Sequence, residues 1–318
     1  MEFKKVTELM DSIRANVGQV IVGQKHVIDL MLTALFAKGH VLLEDVPGTG
    51  KTVLAKALAR SIEGDFSRIQ FTPDILPMDI TGTSVYNQRD MSFDFKKGPA
   101  FCNILLADEI NRATPRTQSA LLECMEERQI TADGITYPLA APFMVIATQN
   151  PIETQGTFPL PEAQLDRFLV KTHMGYLPTE DAVAVLDRFI DSDPLAELTP
   201  VATADQVAEA QRAVSKVTVS EPIRRYIIAL VEKTRALPDV ALGVSPRGSL
   251  ALLRAVQSYA LLNGRNYVKP DDVKAMAGPV LGHRMICRNS FDGTNASERV
   301  MNTLLGQVPV PTEPEDER

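Results

Sequence analysis

Glu44-Asp45-Val46-Pro47-Gly48-Thr49-Gly50-Lys51-Thr52 follows a short apolar run, Val41-Leu42-Leu43, and opens onto Val53-Leu54-Ala55-Lys56-Ala57-Leu58, which reads as a helix. A strand, a glycine-rich turn ending in Gly-Lys-Thr and a helix together make a phosphate-binding loop. Small residues let successive backbone N–H groups curl around phosphate oxygens, and the helix N-terminus adds a field that favours negative charge. The cradle comprises Pro47, Gly48, Thr49, Gly50, Lys51, Thr52 and Val53. Lys51 supplies a mobile positive charge for β- and γ-phosphates, and the Thr52 hydroxyl a ligand for Mg2+. The consensus opens on glycine where this chain has Asp45, so the pattern departs at its first residue while Gly48 and Gly50 still serve the curl.

A plain strand-to-helix turn would look similar, and a second segment separates the two readings. Asn103-Ile104-Leu105-Leu106-Ala107-Asp108-Glu109 lies about 60 residues further on and is an apolar run ending in two acids. Such a run reads as a central parallel strand buried on both faces. Acids at its C-terminal end fall at the sheet edge where α/β folds bind ligands. Asp108 would hold Mg2+ through water and Glu109 would polarise the attacking water. Two acids capping the following helix is the plainer alternative, and it loses ground once the pair is set beside Gly50-Lys51-Thr52.

The chain has 318 residues, room for two compact domains, and a formal charge of −7. That balance does not indicate a uniformly basic nucleic-acid surface. Cys102, Cys124 and Cys287 form no Cys-x-x-Cys pair, and an odd count argues against a disulfide framework and for a reducing, cytoplasmic setting. His26, His40, His173 and His283 show no metal-ligand spacing. No apolar run reaches the length of a membrane span, and Met1-Glu2-Phe3-Lys4-Lys5 leads into a mixed polar helix rather than a signal-peptide core.

Helical spacing links Val6, Leu9, Met10, Ile13 and Val17 up to Gly18, then Val27, Ile28, Met31, Leu35 and Phe36 up to Gly39. Strands are expected at Phe66–Phe71, Phe143–Thr148 and Leu169–Thr172. From Met78 to Gly98, β-prone pieces around Ser84-Val85-Tyr86 and Phe93-Asp94-Phe95 flank a polar turn and read as an inserted hairpin. A helix over Thr117–Glu127 precedes a second hairpin turning at Asp133-Gly134. Beyond Pro178 strand signals fade, and helices are expected at Glu180–Asp191, Asp205–Ser215, Glu221–Arg235, Pro246–Leu262 and Pro270–Ala277. This shift divides the chain into a nucleotide-binding core over 1–177, a helical unit over 178–306 and a tail over 307–318. The tail's Pro- and acid-rich end, Pro309–Arg318, is expected to be disordered.

Four strings then carry a closer likeness: Asp108-Glu109-Ile110-Asn111-Arg112-Ala113, Gln118-Ser119-Ala120-Leu121-Leu122-Glu123, Ala147-Thr148-Gln149-Asn150-Pro151, and Leu160-Pro161-Glu162-Ala163-Gln164-Leu165-Asp166-Arg167-Phe168. From about Val20 to about Arg284 the chain resembles the MoxR family of AAA+ ATPases. The resemblance implies an α/β fold, with a P-loop core whose parallel sheet is flanked by helices, plus a small all-α lid. It implies ATP and Mg2+ as the bound species. It matches Asn150 to the polar sensor that orients the attacking water, and Arg167 to the arginine finger that reaches a neighbouring subunit's γ-phosphate. Arg112 is a rival for that charge. Arg247 matches the lid's sensor arginine, which lid rotation would bring to or from the phosphate. Ile21, Val22 and Gly23 with Gln24 match the segment that packs on adenine.

The same resemblance implies a homo-oligomeric ring, taken as a hexamer. It also implies a chaperone-like role in remodelling or activating a partner, often a von Willebrand factor A domain protein, sometimes to insert a metal cofactor. Two other readings stand beside it. One is a nucleotide-gated assembly module with little turnover, to which Asp45 lends footing. The other is a DNA-handling motor, against which the acidic balance and the lack of a basic, aromatic-interleaved stripe weigh. Tyr86, Phe93 and Phe95 on the inserted hairpin would grip a substrate, or else merely pack the insertion.

Overall fold

The computed structural model describes residues 1–46, 48–151, 156–191, 193–288 and 295–311. Two helices open the chain, α1 (Phe3–Val20) and α2 (Lys25–Phe36), followed by β1 (Val41–Glu44), α3 (Lys51–Ser61) and β2 (Phe66–Gln70). Next come α4 (Pro77–Thr81), the hairpin β3 (Gly82–Asn87) and β4 (Ser92–Lys97), then β5 (Ile104–Asp108) and α5 (Pro115–Glu127). A second hairpin, β6 (Gln129–Ala132) and β7 (Ile135–Pro138), leads to β8 (Met144–Gln149), α6 (Glu162–Leu165) and β9 (Val170–Thr172). The rest is mainly helical: α7 (Thr179–Asp191), α8 (Pro194–Glu197), α9 (Ala204–Val214), α10 (Glu221–Ala236), α11 (Pro246–Leu262), α12 (Pro270–Leu281) and α13 (Asn295–Gln307). A small ribbon there pairs β10 (Val240–Leu242) with β11 (Ile286–Cys287).

The central sheet has the order β2-β5-β8-β1-β9, and every neighbouring pair is parallel. Alternate residues feed two apolar layers, as the strand period of two requires. Val41, Leu43, Ile104, Leu106, Met144 and Ile146 face one layer. Leu42, Leu105, Ala107, Val145 and Ala147 face the other, with Leu121, Leu122 and Met125 of α5. The first layer does not stop at the sheet. It runs from Val6 of α1 through α2 and α3 into α9–α12, and on to Leu304 and Val308.

Several expectations shift. The segment read as hairpin from Met78 begins as a short helix, because Pro77 sits at its start and Asp79 Oδ2 accepts the Leu76 N–H at 2.8 Å. α12 continues past Ala277 through Pro279 to Leu281, since Val280 and Leu281 are fully buried and that packing outweighs the proline. The tail begins later than residue 307: Gln307 closes α13, and Val308 is buried with its N–H bonded to Leu304 O. Residues 312–318 lie outside the described residues. On the inserted hairpin the three aromatics divide. Phe95 stacks on Tyr137 of the second hairpin at 4.5 Å between centroids, whereas Tyr86 and Phe93 pair with each other and are exposed.

Candidate active site

The phosphate loop sits at the C-terminal edge of the sheet, between β1 and α3. Gly48 and Gly50 have φ of 86° and 92°, the left-handed region that the curl needs and that other residues resist. Gly50 is the N-cap of α3 and offers no side chain of its own to the helix's first N–H groups. Lys51 Nζ donates to the carbonyls of Asp45 and Val46, each at 3.1 Å. Thr52 and Val53 form the first turn of α3, while Pro47 falls outside the described residues.

The departure from consensus has a structural explanation. Asp45 is buried, and its carboxylate accepts three backbone N–H groups: Val46 at 2.9 Å, Met174 at 2.8 Å and Gly175 at 3.0 Å. The loop is therefore pinned at its base to the chain leaving β9. Met174 passes the connection on, because its carbonyl accepts Gln24 Nε2 at 2.8 Å. Ile21, Val22, Gly23 and Gln24 are thereby fastened beside the phosphate loop. Gly23 has φ 71°, a backbone that favours glycine, and the Asp181 carboxylate of α7 lies against it. Adjoining cavities of about 460 and 520 Å³ occupy this edge, one bordered by Asp45 and Val46, the other by Gln24 and His26.

Two strands away, the acids hang from the end of β5. Thr148 of β8 ties them in place: its hydroxyl donates to Asp108 Oδ1 at 2.6 Å and accepts the Glu109 N–H at 2.9 Å. Arg68 of β2 forks onto Asp108 Oδ2 at 2.7 and 3.2 Å. Glu109 adopts φ 58°, ψ 49°, a strained backbone for a side chain of its size. Its Oε2 takes a hydrogen bond from Gln70 at 2.9 Å and an ion pair from Arg112 at 3.0 Å. Arg112 thus serves its own chain's glutamate in this arrangement. Asn150 follows the last residue of β8, between the strands that carry the loop and the acids.

Arg167 and Arg247 lie elsewhere. They line a cavity of about 260 Å³ together with Gly39 and His40, which precede β1, and Leu169, which precedes β9. That is the N-terminal edge of the parallel sheet, about 17 Å of extended chain from the loop at roughly 3.3 Å per residue. Arg167 donates to Leu122 O at 2.8 Å. Arg247 pairs with Glu126 and reaches Asp166 at 3.9 Å, and Asp166 is also held by Arg284 at 2.6 Å. The helix that carries Arg247, α11, packs on α2, α9 and α12 through the shared apolar layer and sets this arginine at the edge of the sheet opposite the phosphate loop.

His40, beside this cavity, is fully buried. It accepts the Val145 N–H at Nδ1 and pairs through Nε2 with Met125 O at 3.0 Å. Burial, then the nearby Arg128, hold its pKa down at about 3, so it is neutral. The sequence motifs give no sign of four roles seen here: Arg68 and Gln70 on the acids, Asp45 as an anchor and Thr148 as the bridge. Only the placement of Arg68 and Gln70 at alternate positions near the end of a strand beside β5 hints at the first two.

A parallel sheet with a phosphate loop, paired acids on the second strand over and arginines at the far edge defines an AAA+ ATPase. Residues 40–170 match the ATPase family associated with various cellular activities (AAA), and residues 232–303 match the AAA lid domain. Chaperone MoxR1 of Mycobacterium tuberculosis (strain ATCC 25618 / H37Rv) is 42% identical over 93% of this chain and 80% of its own. The uncharacterized protein YeaC of Bacillus subtilis (strain 168) is 51% identical over 94% and 93% of the two chains. A crystal structure of a candidate ATPase from Cytophaga hutchinsonii ATCC 33406 superposes with a TM-score of 0.89 at 40% identity, covering 97% of this chain and 96% of that one. The chain belongs to the MoxR family of AAA+ ATPases.

Proposed function

We propose that this protein hydrolyses ATP at a site completed by an adjoining copy, and uses turnover to remodel or activate a protein partner. The observation that carries the reading is the position of Arg167 and Arg247. Both stand at the sheet edge opposite their own phosphate loop, a position suited to reaching another subunit's phosphates. A head-to-tail contact of this kind repeats and closes as a ring, which we take to be a hexamer.

Within one subunit, residues 1–177 hold the nucleotide and 178–306 form the helical unit. Ile21–Gly23 flank the base, and Gly48–Val53 cradle the phosphates. Lys51 exchanges the Asp45 and Val46 carbonyls for phosphate oxygens. Thr52 and Asp108 supply oxygen ligands, a donor set suited to a hard cation that arrives with phosphates and keeps its waters. Mg2+ bound there would neutralise charge between the β- and γ-phosphates. Glu109 must leave Gln70 and Arg112 to polarise water, and Asn150 orients that water.

We take the partner to be a von Willebrand factor A domain protein, with metal insertion or complex maturation as the outcome, as the resemblance of the sequence motifs implies. Cys102, Cys124 and Cys287 form no disulfide among the described residues, which suits a reducing cytoplasm. The grip of Gln70 and Arg112 on Glu109 also favours a second reading, a nucleotide-gated assembly with little turnover. Phosphate release by wild type and Glu109→Gln decides between them: the substitution should cut turnover by about 10²–10⁴. Equal rates would remove Glu109 from the chemistry, and negligible release by wild type with a partner present would select the second reading.

A further inference from the structure

α7 leaves its apolar side uncovered. Val183, Leu186, Phe189 and Ile190 are all exposed, Leu186 by 68% and Ile190 by 73%. Val183, Leu186 and Ile190 follow the i, i+3, i+7 spacing of one helical stripe. A stripe of this kind ordinarily faces a core, and a contiguous exposed one marks an interaction surface. The helix is nonetheless fixed in direction. Arg188 donates to Gly18 O at 3.0 Å and to Gln19 O, and Asp181 lies against Gly23. Its polar side carries Glu180, Asp181 and Asp187 against the single cation Arg188.

A surface of opposite character lies at the N-terminal edge of the sheet. The cavity of about 260 Å³ at Arg167 adjoins a second of about 400 Å³, and both are bordered by Ala37, Lys38, Arg128 and Arg254. Together they form a groove rimmed by Lys38, Arg128, Arg167, Arg212, Arg247 and Arg254, against which, among the described residues, only Glu126 and Asp166 supply negative charge. Both acids are engaged by Arg247, and Asp166 by Arg284 as well. Among the described residues Lys38, Arg128 and Arg254 form no ion pair. Leu250, 55% exposed, sits between Arg247 and Arg254 on the same face of α11. The groove is thus basic with an apolar patch, and α7 is acidic with an apolar stripe.

We propose that α7 of one copy docks into the Lys38–Arg254 groove of the next copy, Leu186 and Ile190 meeting Leu250 while Glu180 and Asp187 meet the arginines. No described residue of α7 lines the groove of its own chain, so the two surfaces are available to different molecules. The contact is heterologous and repeats around a ring. α7 begins next to the Gly23 segment of the nucleotide site, and the groove holds Arg167 and Arg247. Docking therefore carries one subunit's arginines to the flank of the other's phosphate loop. This rests on the ring reading above. Its acidic charge disfavours a lipid surface as the occupant.

The full chain tests it by light scattering after gel filtration with ATP, alongside binding of a fluorescent ATP analogue. Wild type should assemble. Leu186→Asp with Ile190→Asp, and separately Arg254→Glu, should each run at the mass of a single chain and still bind the analogue. An equal mixture of the two should give one-to-one dimers and nothing larger, because each retains one intact surface. Wild type that remains monomeric with ATP would sink the ring reading itself. Wild type that assembles together with variants that assemble equally well would overturn the docking alone. So would two monomeric, folded variants whose mixture forms no dimer. Should the double substitution unfold by circular dichroism, Arg254→Glu alone decides: a single-chain mass supports the docking, and assembly like wild type overturns it.

Discussion

Replacing Asp45 by glycine, the residue that opens the phosphate-loop consensus, should weaken this protein. The carboxylate accepts three backbone N–H groups, and two of them, on Met174 and Gly175, tie the loop to a segment about 130 residues away. A hydrogen bond to a charged group contributes about 1.5–3 kcal/mol, so the two distant bonds are together worth about 3–6 kcal/mol. Gly175 and Val46 are only half-buried and regain water, which brings the net loss to about 3–4 kcal/mol. At roughly 2.1 cal/mol/K per residue, a chain of 318 residues unfolds with an entropy of about 0.7 kcal/mol/K. The melting temperature should therefore fall by about 5 °C in thermal unfolding followed by circular dichroism without nucleotide. Asp45→Asn keeps an acceptor oxygen and should fall less. An Asp45→Gly protein that melts within about 1 °C of wild type would refute the assignment of Asp45 as the loop's anchor.

Two other outcomes follow from burial. The folded chain holds the His40 pKa at about 3 against an ordinary 6.5, so below pH 6.5 the unfolded chain takes up a proton that the folded one refuses. Stability from this group is complete above pH 6.5 and is lost as pH falls toward 3, by about 2 kcal/mol at pH 5. Urea midpoints at pH 7, 6 and 5 should fall more steeply for wild type than for His40→Gln, and parallel slopes would contradict the buried, neutral ring. Burial pushes the Cys102 and Cys124 thiols up to about 12, whereas Cys287 is only half-buried. An aromatic disulfide reagent should titrate at most one thiol in native protein and three after denaturation; rapid native labelling of two or more would contradict the packing of β5 and α5.

The strands of the sheet were legible because parallel strands buried on both faces leave unbroken apolar runs, as at Ile104–Ala107 and Met144–Ala147. The helices α1, α2, α7 and α11 were legible from apolar spacing and the residues at their ends. α13 is not legible in the same way, since its apolar positions, among them Val300, Met301 and Leu304, find their partners only in three dimensions. Within the site, the loop and the acids announce themselves by residue type and spacing. The anchors do not. Asp45 reads as a flaw in a motif until Met174 and Gly175 are seen beside it. Arg68 and Gln70 belong to a strand whose adjacency to β5 is a matter of sheet order. Arg247 matched its motif, but which edge of the sheet it serves depends on where α11 packs.

The apolar layer that begins at Val6 and ends at Val308 makes the two parts of the chain one solid. Leu35, Leu252, Val256 and Val280 belong to that one layer, so a swing of the helical unit against the sheet would have to open it. If the layer stays closed, strain set up at one phosphate loop would travel through the whole subunit as a rigid tilt. In the proposed ring it would emerge at the opposite edge, where the next molecule begins, and the moving part of such a machine would be the seam between neighbours rather than a joint within them.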